Sequence, residues 1–162
     1  MSKRAFCLAV LVALLGYCQY AYGKGSPDRI IIKSTGLSHD IEIADRATLK
    51  NFDPWSGQFI DWAGGIVTKP PTGDAIYEVS FYIKWRPKDR QLRFFYVFRY
   101  IPGRDGERGY VYLPANSDAW NTVNLGTIIR EGHDGHWHYA SKQWDRLMEQ
   151  LVLQRPSQTG CD

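Results

Sequence analysis

Cysteine is scarce in this chain: three in 162 residues, at Cys7, Cys18 and Cys161. Two of them fall in a segment with the character of an export signal. The mature chain would then keep Cys161 alone, and one cysteine excludes an internal disulfide. Charge of one sign is also lacking. The 20 Lys and Arg stand against 17 Asp and Glu, a formal +3. Lys3 and Arg4 belong to the same leading segment, and without them the excess falls to +1, which removes the compositional argument for a nucleic-acid partner. Signature motifs are missing as well. The sequence has no P-loop, no dinucleotide fingerprint, and neither HExxH nor paired CxxC spacing. Its Ser38-His39-Asp40 string is no triad, because triad residues meet in space and not in sequence. Gly103, Gly106 and Gly109 read as turn glycines, not as a phosphate cradle. The apolar run from Ala5 to Gly16 falls short of the ~18 residues of a membrane span, although Tyr17 to Tyr22 could extend it imperfectly.

What is present begins with that leader. Ser2-Lys3-Arg4 is a positive start, Ala5 to Gly16 an uncharged apolar run, and Ala21-Tyr22-Gly23 a small-residue cleavage signal. Residues 1–23 are therefore expected to be a signal peptide and residues 24–162 a single globular domain, with no membrane span after cleavage. Tyr17 stands where a lipobox needs a small residue, which argues against a lipid anchor at Cys18. The expected location is outside the cytoplasm, in the periplasm or beyond the cell. The remaining 139 of the 162 residues suffice for a core without staples.

The pattern of the mature chain predicts strands first and a helix last. Arg29–Lys33 and Asp40–Ile43 are short β-branched runs around Ser34-Thr35-Gly36, a candidate hairpin. Asp45 is placed to cap a short helix carrying Leu49 and Phe52. The stretch from Gly64 to Gly73 reads as a loop. Tyr77, Val79, Phe81, Ile83 and Trp85 alternate with polar neighbours, and Leu92, Phe94, Tyr96, Phe98 and Tyr100 form a second stripe. Gly109–Leu113 follows as a third strand, and Val123–Glu131 as a further candidate. Ser141 is placed to cap a helix in which Trp144, Leu147, Met148, Leu151 and Val152 recur at helical spacing, ended by Pro156. The class predicted is α+β: an antiparallel sheet with an aromatic-rich core face, packed by a C-terminal helix.

Two segments, Phe52–Trp62 (FDPWSGQFIDW) and Gly126–Ser141 (GTIIREGHDGHWHYAS), resemble a family of small exported bacterial proteins without an assigned function. The resemblance extends over most of the mature chain and implies no catalytic residues. At the position of His136 it implies a basic residue other than histidine.

Two constellations could carry chemistry. Glu131, His133, His136 and His138 share one hairpin face if Asp134-Gly135 forms a two-residue turn, with Trp137 directed to the core. Three imidazoles and a carboxylate would suit Zn or Cu. The second set is aromatic: Trp55, Trp62 and Trp120, beside Asp61, resemble the ring-plus-carboxylate surfaces that hold sugars. Trp137 could join them or fill the core. The leading expectation is an extracytoplasmic binding or accessory module without catalysis, its partner a cell-envelope glycan or another exported protein. The alternatives are a metal-binding protein using the 131–138 cluster and a small hydrolase of envelope glycans.

Overall fold

The computed structural model describes residues 26–69, 71, 75–86, 88–104, 106–120 and 132–153. The leader, the candidate strand Val123–Glu131, Pro156 and Cys161 lie outside them. The described residues form a seven-stranded antiparallel sheet with two helices. In chain order the elements are β1 (Arg29–Lys33), β2 (Ile41–Ile43), α1 (Arg46–Asn51), a 3-10 turn (Trp62–Gly64), β3 (Ile66–Val67), β4 (Tyr77–Ile83), β5 (Arg93–Ile101), β6 (Tyr110–Tyr112), β7 (Trp137–Tyr139) and α2 (Lys142–Leu153). The spatial order is β2-β1-β4-β5-β6-β7-β3. The predicted α+β class is the observed one.

Alternation sets which face is buried. Ile30 and Ile32 pair with Ile43 and Ile41, and all four point into the core. Tyr77, Val79 and Phe81 of β4 lie beside Tyr100, Phe98 and Tyr96 of β5 on the same face. The register shifts between Phe81 and Tyr82, so Tyr82 opposes Phe94 and Phe95 is the extra residue of the bulge. The apolar stripe predicted to run through Trp85 stops at Ile83. There the Asp28 carboxylate accepts the Lys84 N–H at 2.7 Å, and the chain leaves the sheet for the Arg86–Asp89 turn. Trp85 is consequently 70% exposed, with the Arg93 guanidinium 6.0 Å from its ring.

The connection from β5 to β6 depends on a glycine. A Cβ on Gly103 would lie 2.1 Å from the Glu107 carbonyl oxygen, so no larger residue fits that turn. The segment read as a loop from Gly64 onward contains β3, whose two residues pair with β7.

Both caps form where the sequence places them. The Asp45 carboxylate accepts the Thr48 N–H at 2.9 Å, and the Ser141 hydroxyl accepts the Trp144 N–H at 3.1 Å. Helix α2 lays Trp144 and Met148 on the sheet, with Leu147, Leu151 and Val152 packed at the margin. Trp144 meets Phe52, Phe59, Phe98 and Tyr100 at centroid distances of 5.1 to 6.3 Å, mostly edge to face. Asp145 ties the helix to the sheet by accepting the Tyr100 hydroxyl at 2.9 Å and the Gly109 N–H at 3.1 Å. No helix among the described residues is long and apolar enough to cross a membrane.

Candidate ligand-binding face

The sheet face opposite α2 carries a ladder of rings over β6 and β7. Antiparallel pairing sets Tyr110 against Tyr139 and Tyr112 against Trp137, with ring centroids 5.5 and 5.2 Å apart. Residues two apart on a strand share a face, so the four rings form one surface about 7 Å long along the strands. Trp120 extends it, 6.2 Å from Tyr112. All five residues are half-buried.

An arginine stands at each end. The Arg99 guanidinium lies 4.4 Å from the Trp120 ring centre, and that of Arg108 lies 4.7 Å from Tyr139. Arg108 also pairs with Asp61. Asp61 caps the 3-10 turn, accepting the Ala63 N–H at 3.1 Å. Burial opposes the charged carboxylate there, but the Arg108 hydrogen bond and charge, with backbone N–H groups, hold its pKa below the usual value. At the other end the Tyr112 hydroxyl is raised in pKa by burial and by its hydrogen bond to Asp118. Asp118 in turn accepts the Ala115 N–H at 2.8 Å.

Of the sugar-binding residues read from sequence, the structure brings Asp61 and Trp120 to the two ends of this face. Trp55 and Trp62 are elsewhere. Trp55 stacks on Phe95 at 5.2 Å and packs against the core. The ring of Trp62 contacts His133 and His138 at 5.4 and 5.7 Å. Sequence reasoning missed Arg99, Tyr110, Tyr112 and Tyr139. The signal for them was an aromatic at every second position in Tyr110-Val111-Tyr112 and Trp137-His138-Tyr139, with the smaller or polar residue between.

The histidine segment folds differently from the expected two-residue hairpin. Leu113 donates its N–H to the His136 carbonyl at 3.1 Å, and Gly135 donates to the Leu113 carbonyl at 2.8 Å. Residues 135–139 therefore extend the ladder with β6. In that register His138 lies opposite Val111, a core residue, and is itself 0% exposed. Trp137 is on the outer face, the reverse of the expected arrangement. His138 donates from Nε2 to the His133 carbonyl at 3.0 Å, since a carbonyl can only accept. Nδ1 of His138 and Nδ1 of His133 are both buried without a hydrogen-bond partner.

The two imidazoles are 5.6 Å apart, while His136 is exposed and Glu131 lies outside the described residues. Among the described residues no three His, Cys, Asp or Glu side chains are grouped to hold a metal ion.

Burial is the largest effect on His138 and lowers its pKa, with the neighbouring His133 and His136 acting in the same direction against the hydrogen bond to the His133 carbonyl. The folded state thus binds a proton less readily than the unfolded chain. The stability this confers is fully present above the unfolded value of ~6.5 and is lost as pH falls below it. Melting temperature is expected to drop between about pH 7 and pH 5. In His138→Gln, which keeps a donor for the His133 carbonyl, that drop is expected to shrink. An unchanged pH profile in the variant would show that His138 does not control it.

Comparisons of the chain with family models, with curated proteins and with solved structures found no significant match.

Proposed function

We propose that the mature chain is an exported, non-catalytic binding or accessory module that holds a cell-envelope glycan on the ring face of β6 and β7. One observation carries the reading: five half-buried aromatic rings lie on one sheet face between two arginines. The C–H faces of a sugar stack on such rings, while guanidinium groups at the margins donate to hydroxyls or acidic substituents. Export is supported by the leader sequence and by the resemblance of Phe52–Trp62 and Gly126–Ser141 to small exported proteins of unassigned function.

The carboxylates beside the rings favour binding over hydrolysis. A glycosidase needs two carboxyl groups flanking the bond, one of them free to give a proton. Here Asp61 is held by Arg108, and Asp118 by Tyr112 and the Ala115 N–H. A metal-binding role would draw on His133 and His138 alone among the described residues, with one nitrogen of His138 already engaged by a carbonyl.

Intrinsic fluorescence of the mature domain, titrated with chitotetraose and with soluble peptidoglycan fragments, tests the proposal. At least one of these is expected to bind saturably. Trp137→Ala is expected to weaken that binding by about tenfold, ~1.4 kcal/mol. Equal affinity in the variant, with its fold intact by circular dichroism, would overturn the assignment of the site.

A further inference from the structure

A second surface lies at one end of the sheet, where β1 begins and β4 ends. A cleft of about 880 Å³ opens between the residues leading into β1, one face of α1 and the β4–β5 connection. That volume lies within the range of sites for small molecules. Its charged lining consists of Arg29, Arg46, Lys50, Lys84 and Arg90 against the single carboxylate of Asp28. Arg46 and Lys50 are four apart on α1 and so share a helix face.

The carboxylates nearby are already committed. Asp28 accepts the Lys84 N–H, Asp45 caps α1, Asp89 accepts the Arg86 N–H at 2.9 Å, and Glu42 pairs with Arg29 at 2.9 Å. Arg46, Lys50, Lys84 and Arg90 have no ion-pair partner among the described residues. All four belong to exposed residues and line one concavity, where they set up a local positive potential although the mature charge is near neutral. A multivalent anion is attracted by that potential, and guanidinium forks match the paired oxygens of phosphoryl groups.

We infer that this cleft binds a multiply charged phosphoryl ligand, independently of the ring face and of the glycan proposed for it. The probe is tripolyphosphate, titrated into the mature domain by calorimetry at low ionic strength. Saturable binding at one site is expected, tighter than for orthophosphate and weakened by added salt as screening requires. The pair Arg46→Gln and Arg90→Gln, made together, is expected to reduce affinity by at least about tenfold, an effect of ~1.4 kcal/mol. Lys142→Gln, at the start of α2 and outside the cleft, is expected to leave it unchanged.

Long-chain polyphosphate separates the two sources of such groups. Tighter binding per phosphate assigns a polymer, and equal binding assigns a small molecule. Absence of saturable binding up to about 1 mM, near the weak limit of specific affinity, would overturn the inference. Equal losses in the double variant and in Lys142→Gln would overturn it too, since they would indicate diffuse charge attraction. Chitotetraose binding is read on the same samples, so failure of one site is distinguishable from failure of the other.

Discussion

Replacing Trp144 by alanine is expected to destabilise the folded domain by about 3–5 kcal/mol. The side chain is 0% exposed and sits where α2, the Phe52 segment and β5 meet. Four aromatic neighbours surround it, and rings of that size cannot collapse into the space an indole leaves. The loss combines the transfer of a large apolar surface back to water with the cavity left behind. For a domain whose whole stability is on the order of 5–15 kcal/mol, such a loss leaves a fraction of the native state or none. Urea denaturation followed by far-ultraviolet circular dichroism measures it. A loss under about 1 kcal/mol would mean that the helix does not dock through this residue.

The second large effect is expected from Asp145→Ala. Two donors depend on that carboxylate: the Tyr100 hydroxyl, which is buried, and the Gly109 N–H. The approach is close enough that a Cβ on Gly109 would lie 2.5 Å from Asp145 Oδ1 and 2.7 Å from the Tyr100 ring. Truncation orphans both donors beside a cavity of about 320 Å³ that Tyr100 and Asp145 both line, where water can replace part of the lost bonding. With each buried unsatisfied group costing ~1–3 kcal/mol, the expected loss is about 2–4 kcal/mol. Asp145→Asn keeps a carbonyl oxygen and is expected to lose less. The same urea titration decides, and equal losses for the two variants would contradict an account based on accepted hydrogen bonds.

Local physics made much of this fold legible in the sequence. A period of two from Tyr77 to Phe81 and from Tyr96 to Tyr100 requires a half-buried hairpin, and the hairpin is there, although the bulge at Phe95 turns Phe94 from the predicted stripe to the other face beside Tyr82. Asp45 and Ser141 could be read as caps because a short side-chain acceptor before an amphipathic run has few other uses. The failures share a cause in non-local pairing. Nothing near Ile66-Val67 signals a strand, because its partner among the described residues is β7, some seventy residues later. The face of β7 was misread for a similar reason. By hydrophobicity Trp137 belongs inside and His138 outside, yet pairing with β6 aligns His138 with the buried Val111. One residue of register reverses every side. Candidate-site residues followed the same rule. Tryptophans invite attention singly, but the ring face needs Tyr110, Tyr112 and Tyr139, which become neighbours of Trp137 only through that pairing. The cationic cleft draws on positions 29, 46, 50, 84 and 90, which no local window joins.

The central claim is that a ligand rests on the ring face of β6 and β7, and the six tryptophans of the chain report on it directly. Each indole N–H gives its own signal in a proton–nitrogen correlation spectrum, assignable by single substitutions. Chitotetraose or soluble peptidoglycan fragments, added to the isotopically labelled protein, are expected to shift the signals of Trp120 and Trp137. Those of Trp144, sealed under α2, and Trp85, on the far turn, are expected to stay in place. A spectrum unmoved by every glycan tested, or one in which Trp85 shifts while Trp120 and Trp137 do not, would contradict the account.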